Sequence, residues 1–521
     1  MPRPTRAVLL VVSVVALAAG CTGGGGQTLT PESSSSPRTT PSAPAGPTTA
    51  ADPSTPPGPA AQLRTPPELQ VVGGDNPAAV AAEAVTALFV SAPVAVVLGS
   101  PARDQVSVAA ATAKTMGAPV LLDGPVLAEQ VSRLGAKTVL AIGEDPQLAT
   151  RLPGVDVVTD VGRLPRTSRP TLLSQVTVLV RSDGTDDLAA VAASGVVAAT
   201  AAAAGTTLIP APSADPRAVA DVVTALAAAP KGPVLAVGTS FGTPTQLSPR
   251  LRVARTGVQL PGGGQVMFPG RALVALYGHP GGPALGVLGE QGPEASVARA
   301  KQVAAPYDSL YGVPVVPTFE IIATVASSSA GADGNYSNEF GVEDLKPTVD
   351  AATRAGMYVV LDLQPGRADP LEQAKAYTSL LMQPNVGLAL DPEWALGPGQ
   401  LPVQQIGSLP ASKINEVTRW LGDLTAKANL PQKVLVLHQF RLSMIGNESQ
   451  LDTGNDQVAV LIHADGQGGR GQKEATWNAI VRAAPPGVFF GWKNFYDEDP
   501  QIASPADTVR RTPEPVMVSY Q

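Results

Sequence analysis

The sequence predicts an α/β protein: a parallel-sheet α/β repeat region followed by a (β/α)8-type barrel. Three observations lead there. Runs such as VAVVLGS (94–100) and GMYVVLDLQP (356–365) are apolar without alternation, as strands buried on both faces are. Alanine-rich or amphipathic helical stretches separate most of them. Eight such runs fall near the C-terminal end, within roughly the 250 residues that a barrel of this kind occupies.

The chain opens with MPRPTRAVLLVVSVVALAAG and then Cys21, the only cysteine. Arg3 and Arg6 form a basic start. The apolar run Ala7 to Ala19 is shorter than the roughly 20 residues of a membrane-spanning helix. This segment resembles a bacterial lipoprotein signal peptide with Ala-Ala-Gly-Cys as its lipobox, although Ala18 stands where that family prefers leucine. The resemblance implies cleavage after residue 20 and lipidation of Cys21. Fatty chains on that residue would anchor the protein at the extracytoplasmic face of the cell membrane.

Residues 21–67 are mostly Gly, Ser, Thr, Pro and Ala. Too few large apolar groups are present to offset the entropy of ordering, so a disordered tether is expected. Beyond it the composition divides the chain. Residues 68–265 hold two aromatics, Phe89 and Phe241, and no Trp, Tyr or His, whereas 271–521 holds every Trp, Tyr and His. PGGG (261–264) marks the boundary. The net charge of −7 is thinly spread, because only 15% of residues are charged. No basic stripe points to nucleic acid, which is not an expected partner.

Region 68–265 contains a degenerate internal repeat. VAVVLGS (94–100), APVLLDG (118–124) and KTVLAIGED (137–145) are echoed by VTVLVRSDG (176–184), TTLIPAP (206–212) and GPVLAVGTS (232–240). GAPVLLDG and RLGAKTVLAIGED are similar to the cell-wall-binding type 2 repeat of Gram-positive surface proteins. The family's Arg-Tyr-containing opening motif is missing, and two copies stand where that family often has three. The resemblance implies a wall polymer as partner.

The barrel strands are expected at 273–280, 313–321, 356–365, 386–394, 433–440, 458–466, 487–495 and 515–521. Between strands three and four, Asp369 is placed to cap a helix, with Pro370 in its first turn and Glu372 placed to reach back. SKINEVTRWLGDLTAKA sets Ile414, Val417, Leu421 and Leu424 on one face. KEATWNAIVRAA does the same with Trp477, Ile480, Val481 and Ala484. The link from strand seven to strand eight carries little helix, and none follows strand eight.

In such a barrel chemistry gathers at the C-terminal strand ends. Those ends read His279, Glu320, Asp362, Asp391 with Glu393, His438, His463 with Asp465, and Lys493. Tyr277, Trp394 and Trp492 accompany them. Asp391 and Glu393 are two apart on an expected strand, so both should leave one face, roughly 7 Å apart. Glycoside hydrolysis uses two carboxyls about 5–9.5 Å apart. Asp391, Glu393, Glu320 and Asp362 are therefore the candidate acids, with Trp394 and Trp492 to stack on a sugar ring. Tyr277, His279, His438, His463, Asp465 and Lys493 complete the expected substrate-binding rim.

Asp391-Pro-Glu393 is similar to the D-x-E strand end of barrel muramidases, which implies Glu393 as proton donor and Asp391 as its assistant. Pro392 is a departure from that family's pattern. Two other readings stand beside this one: a non-catalytic module that binds glycan or protein, and a metal-dependent hydrolase built on the histidines. Strand one reads His-Pro-Gly without the His-x-His of barrel amidohydrolases, so no metal ligand set is assigned and no cofactor is expected. The glycine-rich GHPGGPALG (278–286) and DGQGGRGQ (465–472) lack the spacing of a nucleotide-binding loop.

Overall fold

The computed structural model describes residues 58–143 and 147–521. Cys21, the signal segment and the tether through residue 57 lie outside the described residues. The fold begins inside the segment expected to be tether, because Gln62–Leu63 pairs antiparallel with Phe89–Ser91. Among the described residues no helix is long and apolar enough to cross a membrane.

The repeat region forms two four-stranded parallel sheets. In the first, Val94–Leu98 lies between Val120–Leu122 and Thr138–Ile142, with Asp156–Val158 outermost. In the second, Thr177–Arg181 lies between Thr207–Ala211 and Val234–Val237. There the outermost place is taken by Leu69–Val72, from the start of the chain. The two halves thus share one strand order, and the N-terminal strand completes the second.

Val94–Leu98 is wholly buried, and each such Val or Leu contributes roughly 1.5–3 kcal/mol. Helices Arg103–Met116 and Leu188–Ala204 pack against each other across the pseudo-repeat. A Cβ on Gly195 would lie 3.1 Å from Val106 Cγ1, so the bare glycine lets the helices close up. Thr200 of the second half accepts from Val120 N–H and donates to its carbonyl, both at 3.1 Å.

The second region is a closed barrel of eight parallel strands. In order these are Ala272–Gly278, Val315–Ala326, Tyr358–Leu363, Val386–Leu390, Lys433–Gln439, Val458–Ala464, Phe489–Asn494 and Met517–Tyr520. Closure is direct: strand one pairs with strand two (Ala272↔Val315) and with strand eight (Leu273↔Met517). All eight expected strands are present. Helices Pro293–Ala304, Val342–Arg354, Pro370–Ala376, Ala411–Lys427 and Arg470–Ala483 lie between them. The link from strand seven to eight holds only Pro505–Val509, and that from five to six holds 3-10 turns. Asp369 caps its helix as expected, accepting from Leu371 N–H at 2.9 Å. Glu372 pairs forward with Lys375 at 2.7 Å instead of reaching back.

Side chains alternate between the barrel interior and the helix layer. Leu276, Phe319, Leu361, Leu388, Leu437 and Ile462 face the helices. Lower inward positions are apolar: Leu273, Ala275, Val316, Val360, Val436 and Leu461. Leu260, Met267 and Phe268, from the connecting segment, join this inner cluster. Arg271 holds that segment by donating to the carbonyls of Pro261, Gly263, Val266 and Met267. The bottom is therefore a packed plug.

The repeat region meets the barrel at that same end. Arg217, 1% exposed, pairs with Asp215 at 2.8 Å and with Asp456 at 2.9 Å. Arg250 reaches Asp456 at 2.7 Å. Gln432 N–H donates to Gln265 O, and Met267 N–H donates to Gln432 Oε1, both at 2.8 Å. Asp456 and Gln432 immediately precede strands six and five, so these bonds lie opposite the C-terminal mouth. Removing the shared carboxylate in Asp456→Ala leaves the buried Arg217 with Asp215 as its one carboxylate partner, and should cost about 1–2 kcal/mol. Chemical denaturation checks this; an unchanged midpoint would mean that Asp456 holds nothing.

Candidate functional site

Continuing the same alternation upward brings polar side chains into the barrel mouth. Tyr277, Glu320, Asp362, Asp391, His438, His463, Lys493 and Ser519 are the upper inward positions, one from each strand or its end. A cleft of about 630 Å³ opens above them. It is lined by Tyr277, Asp391, Glu393, Trp394, Asp465 and Lys493 among the expected residues. Gln364, Phe440, Arg441, Gln472, Thr476 and Phe495 also line it and were not anticipated. Phe440 and Arg441 directly follow strand five, where the strand-end rule could have found them.

Beneath the cleft runs a buried chain of charge. His438 Nδ1 lies 2.8 Å from Asp465 Oδ2, and its Nε2 lies 3.0 Å from Glu320 Oε1 and 3.8 Å from Asp362 Oδ1. Lys493 Nζ lies 3.1 Å from Asp465 Oδ1 and 3.5 Å from the centre of the Tyr277 ring. Tyr277 Oη donates to Asp362 Oδ2 at 2.8 Å. Both His438 nitrogens face carboxylates, which only accept when ionised, so both carry hydrogen and the ring is an imidazolium. Burial alone would strip that proton, but Glu320, Asp465 and Asp362 outweigh it and raise the pKa well above the histidine range.

The carboxyls divide into two kinds. Burial pushes Asp465 up, yet Lys493 and His438 outweigh it and hold the group ionised, below the usual range. Glu320 is likewise held down, with burial outweighed by His438. Asp391 goes the other way: burial, with Asp362, Asp465 and Glu393 nearby, raises it well above the usual range. Burial and Asp465 also raise Glu393, which is half-buried. One cleft thus presents carboxyls with raised proton affinity beside one whose affinity is lowered.

Several expectations change. Asp391 and Glu393 do not share a strand face, because strand four ends at Leu390. Asp391 instead caps a 3-10 turn, Pro392–Trp394, and accepts from Glu393 N–H at 3.1 Å. Pro392 has no N–H with which to continue the ladder. Both carboxyls still reach the cleft. Glu320 and Asp362 do not line it; both are 0% exposed and lie below it on their strands. They lie against His438 and Tyr277 beneath the cleft floor.

Trp492 is not in the mouth. Gly491 and Lys493 face inward, so Trp492 faces outward, where it packs on Trp477 at 6.0 Å. His279 is also set aside. Gly278, at φ 143, turns the chain there, and the imidazole stacks on Phe340 and donates to Ile322 O at 2.9 Å. His463 faces inward but lies below the cleft, bonded to Ser519 Oγ at 2.7 Å. A Cβ on Gly491 would come within 2.1 Å of its Nδ1, so only glycine leaves room for the ring. Burial lowers the His463 pKa to about 3, and the ring is neutral. His438 spends both nitrogens on carboxylates. Among the described residues no group of three or more His, Cys, Asp or Glu is arranged to hold a metal ion.

Burial holds the Asp391 pKa well above the value it has in the unfolded chain. The unfolded state then binds fewer protons, so this group lowers stability as pH rises above the ordinary carboxylate range. Asp391→Asn keeps the capping oxygen and removes that cost. It should add on the order of 1 kcal/mol near pH 8 and less near pH 5, measured by denaturation at both. Equal effects at the two pH values would mean that Asp391 is ionised in the fold.

Compared with models of known protein families and with curated proteins, the chain matches none.

Proposed function

We propose that the barrel hydrolyses a glycosidic bond of cell-wall polysaccharide, in a lipoprotein anchored through Cys21 at the outer face of the membrane. One observation carries the catalytic part. Burial raises the proton affinity of both Asp391 and Glu393, and they share an open cleft with Asp465, which Lys493 and His438 hold below the usual carboxylate range against its own burial. Environments that push carboxyl pKa values apart are how one site holds both an acid and a base.

Glu393, the less buried of the two acids, gives its proton to the leaving oxygen. Asp465 faces the positive charge that develops on the sugar ring, and water then adds to the anomeric carbon and returns a proton to Glu393. Trp394 and Phe440 offer apolar faces to the ring. Asp391 caps the turn that carries Glu393 and, through its own raised pKa, leaves no negative charge beside the donor. The repeat region, bound at the opposite end of the barrel, leaves the mouth open while engaging wall polymer.

Glu393→Gln keeps the shape and removes the proton. Release of reducing ends from purified wall glycan should fall by roughly 100-fold or more, with glycan pull-down unchanged. If the unaltered chain binds wall glycan but cleaves none, the barrel is a binding module. Cys21→Ala should move the protein from the membrane fraction to the soluble one and abolish fatty-acid incorporation; persistence in the membrane would contradict the anchor.

A further inference from the structure

We propose that His438 is the positioning residue of this cleft: an imidazolium fixed between Glu320 and Asp465, which orients Asp465 and keeps it ionised for the reaction above. The catalytic role rests on that functional reading. The charge of the ring does not.

The geometry comes from three strands. His438 stands on strand five, and its Nδ1 reaches Asp465 just past strand six at 2.8 Å. Its Nε2 spans the barrel interior to Glu320 on strand two at 3.0 Å. The ring is 0% exposed, so water cannot replace either partner. Groups face it from every side. Tyr277 of strand one is 5.8 Å away, centre to centre, and Asp362 of strand three is 3.8 Å from Nε2. The His463 ring of strand six is 5.4 Å away. Asp391 and Glu393 after strand four also sense its charge, and Lys493 of strand seven shares Asp465 with it.

Of these neighbours Glu320, Asp465 and Asp362 attract a proton to the ring, Lys493 repels it, and His463 is neutral. Two hydrogen bonds to two carboxylates leave the imidazole no lone pair, so it cannot act as a base. It can only hold. Because Nε2 is tied to Glu320, Nδ1 has one direction in which to point, and that direction fixes the Asp465 carboxylate. Lys493 secures the other oxygen. With either cation lost, the Asp465 carboxylate loses part of what offsets its desolvation.

The test begins with the ring itself. The chain has three histidines, so the imidazole nitrogen spectrum of the 15N-labelled full-length protein holds three rings. His279→Gln identifies one, and His463→Gln identifies another. The proposal predicts that the remaining ring stays doubly protonated from about pH 5.5 to 8.5. Loss of a proton with a midpoint near the ordinary value of about 6.5 would overturn it. The role is read from His438→Gln, which keeps one N–H donor and removes the charge. Here kcat on wall glycan should fall roughly 10- to 100-fold with KM within about twofold. The acid limb of the pH profile should move upward as Asp465 becomes easier to protonate. Unchanged kcat and an unchanged profile would overturn the positioning role. If the variant does not fold, the spectrum of the unaltered chain still decides the ring's charge. If that chain cleaves no wall glycan, the functional reading fails and the spectrum again stands alone.

Discussion

The upper half of the barrel depends on one constraint: carboxylates buried inside a closed ring of strands need cations beside them. Glu320 and Asp362 enter from strands two and three, fully buried, and Asp465 from the end of strand six, at the cleft floor. Left alone, each would take up a proton, because desolvation of an isolated charge exceeds anything packing returns. His438 and Lys493 supply the balance for Glu320 and Asp465, whereas burial still pushes Asp362 up to about 6. Their placement decides which carboxyls are held down and which, like Asp391 and Glu393, are raised. The chemistry of the cleft follows from that division.

The lower half answers the same geometry with the opposite solution. Its inward positions are Val, Leu, Ala and Met, closed from below by Leu260, Met267 and Phe268. This plug is apolar apart from Tyr358, whose hydroxyl accepts from Val434 N–H at 3.4 Å, and it gives the strands a fixed frame. The repeat region docks beneath it through Arg217, Arg250 and Asp456. A rigid, apolar base and a charged, hydrogen-bonded mouth thus divide the labour along each strand. Substitutions below should change stability, and substitutions above should change protonation.

The eight strands are legible in the sequence because runs such as VVLDL and VLIHA are buried on both sides and cannot be mistaken for exposed loops. Much of the site is legible too, since the strand-end rule picks out Tyr277, Asp465 and Lys493. The errors have local causes. Trp492 was placed by proximity to the strand end, while the period of two that puts Lys493 inside puts Trp492 outside. At Asp391 and Glu393 the expected strand runs too far, because Pro392 ends the ladder. His279 is lost to the left-handed turn at Gly278. Burial of Glu320 and Asp362 beneath the cleft depends on how far each strand rises through the barrel, which no residue type announces.

The central claim is that one cleft holds carboxyls of opposite protonation, and carboxyl carbon NMR measures this directly. In the full-length chain labelled at aspartate carboxyls, with Asp391→Asn and Asp465→Asn to assign the two signals, a titration across the acid and neutral range compares them. The account predicts that Asp465 is ionised throughout, while Asp391 remains protonated at neutral pH. Both signals titrating together near the ordinary value of about 3.9 would contradict it.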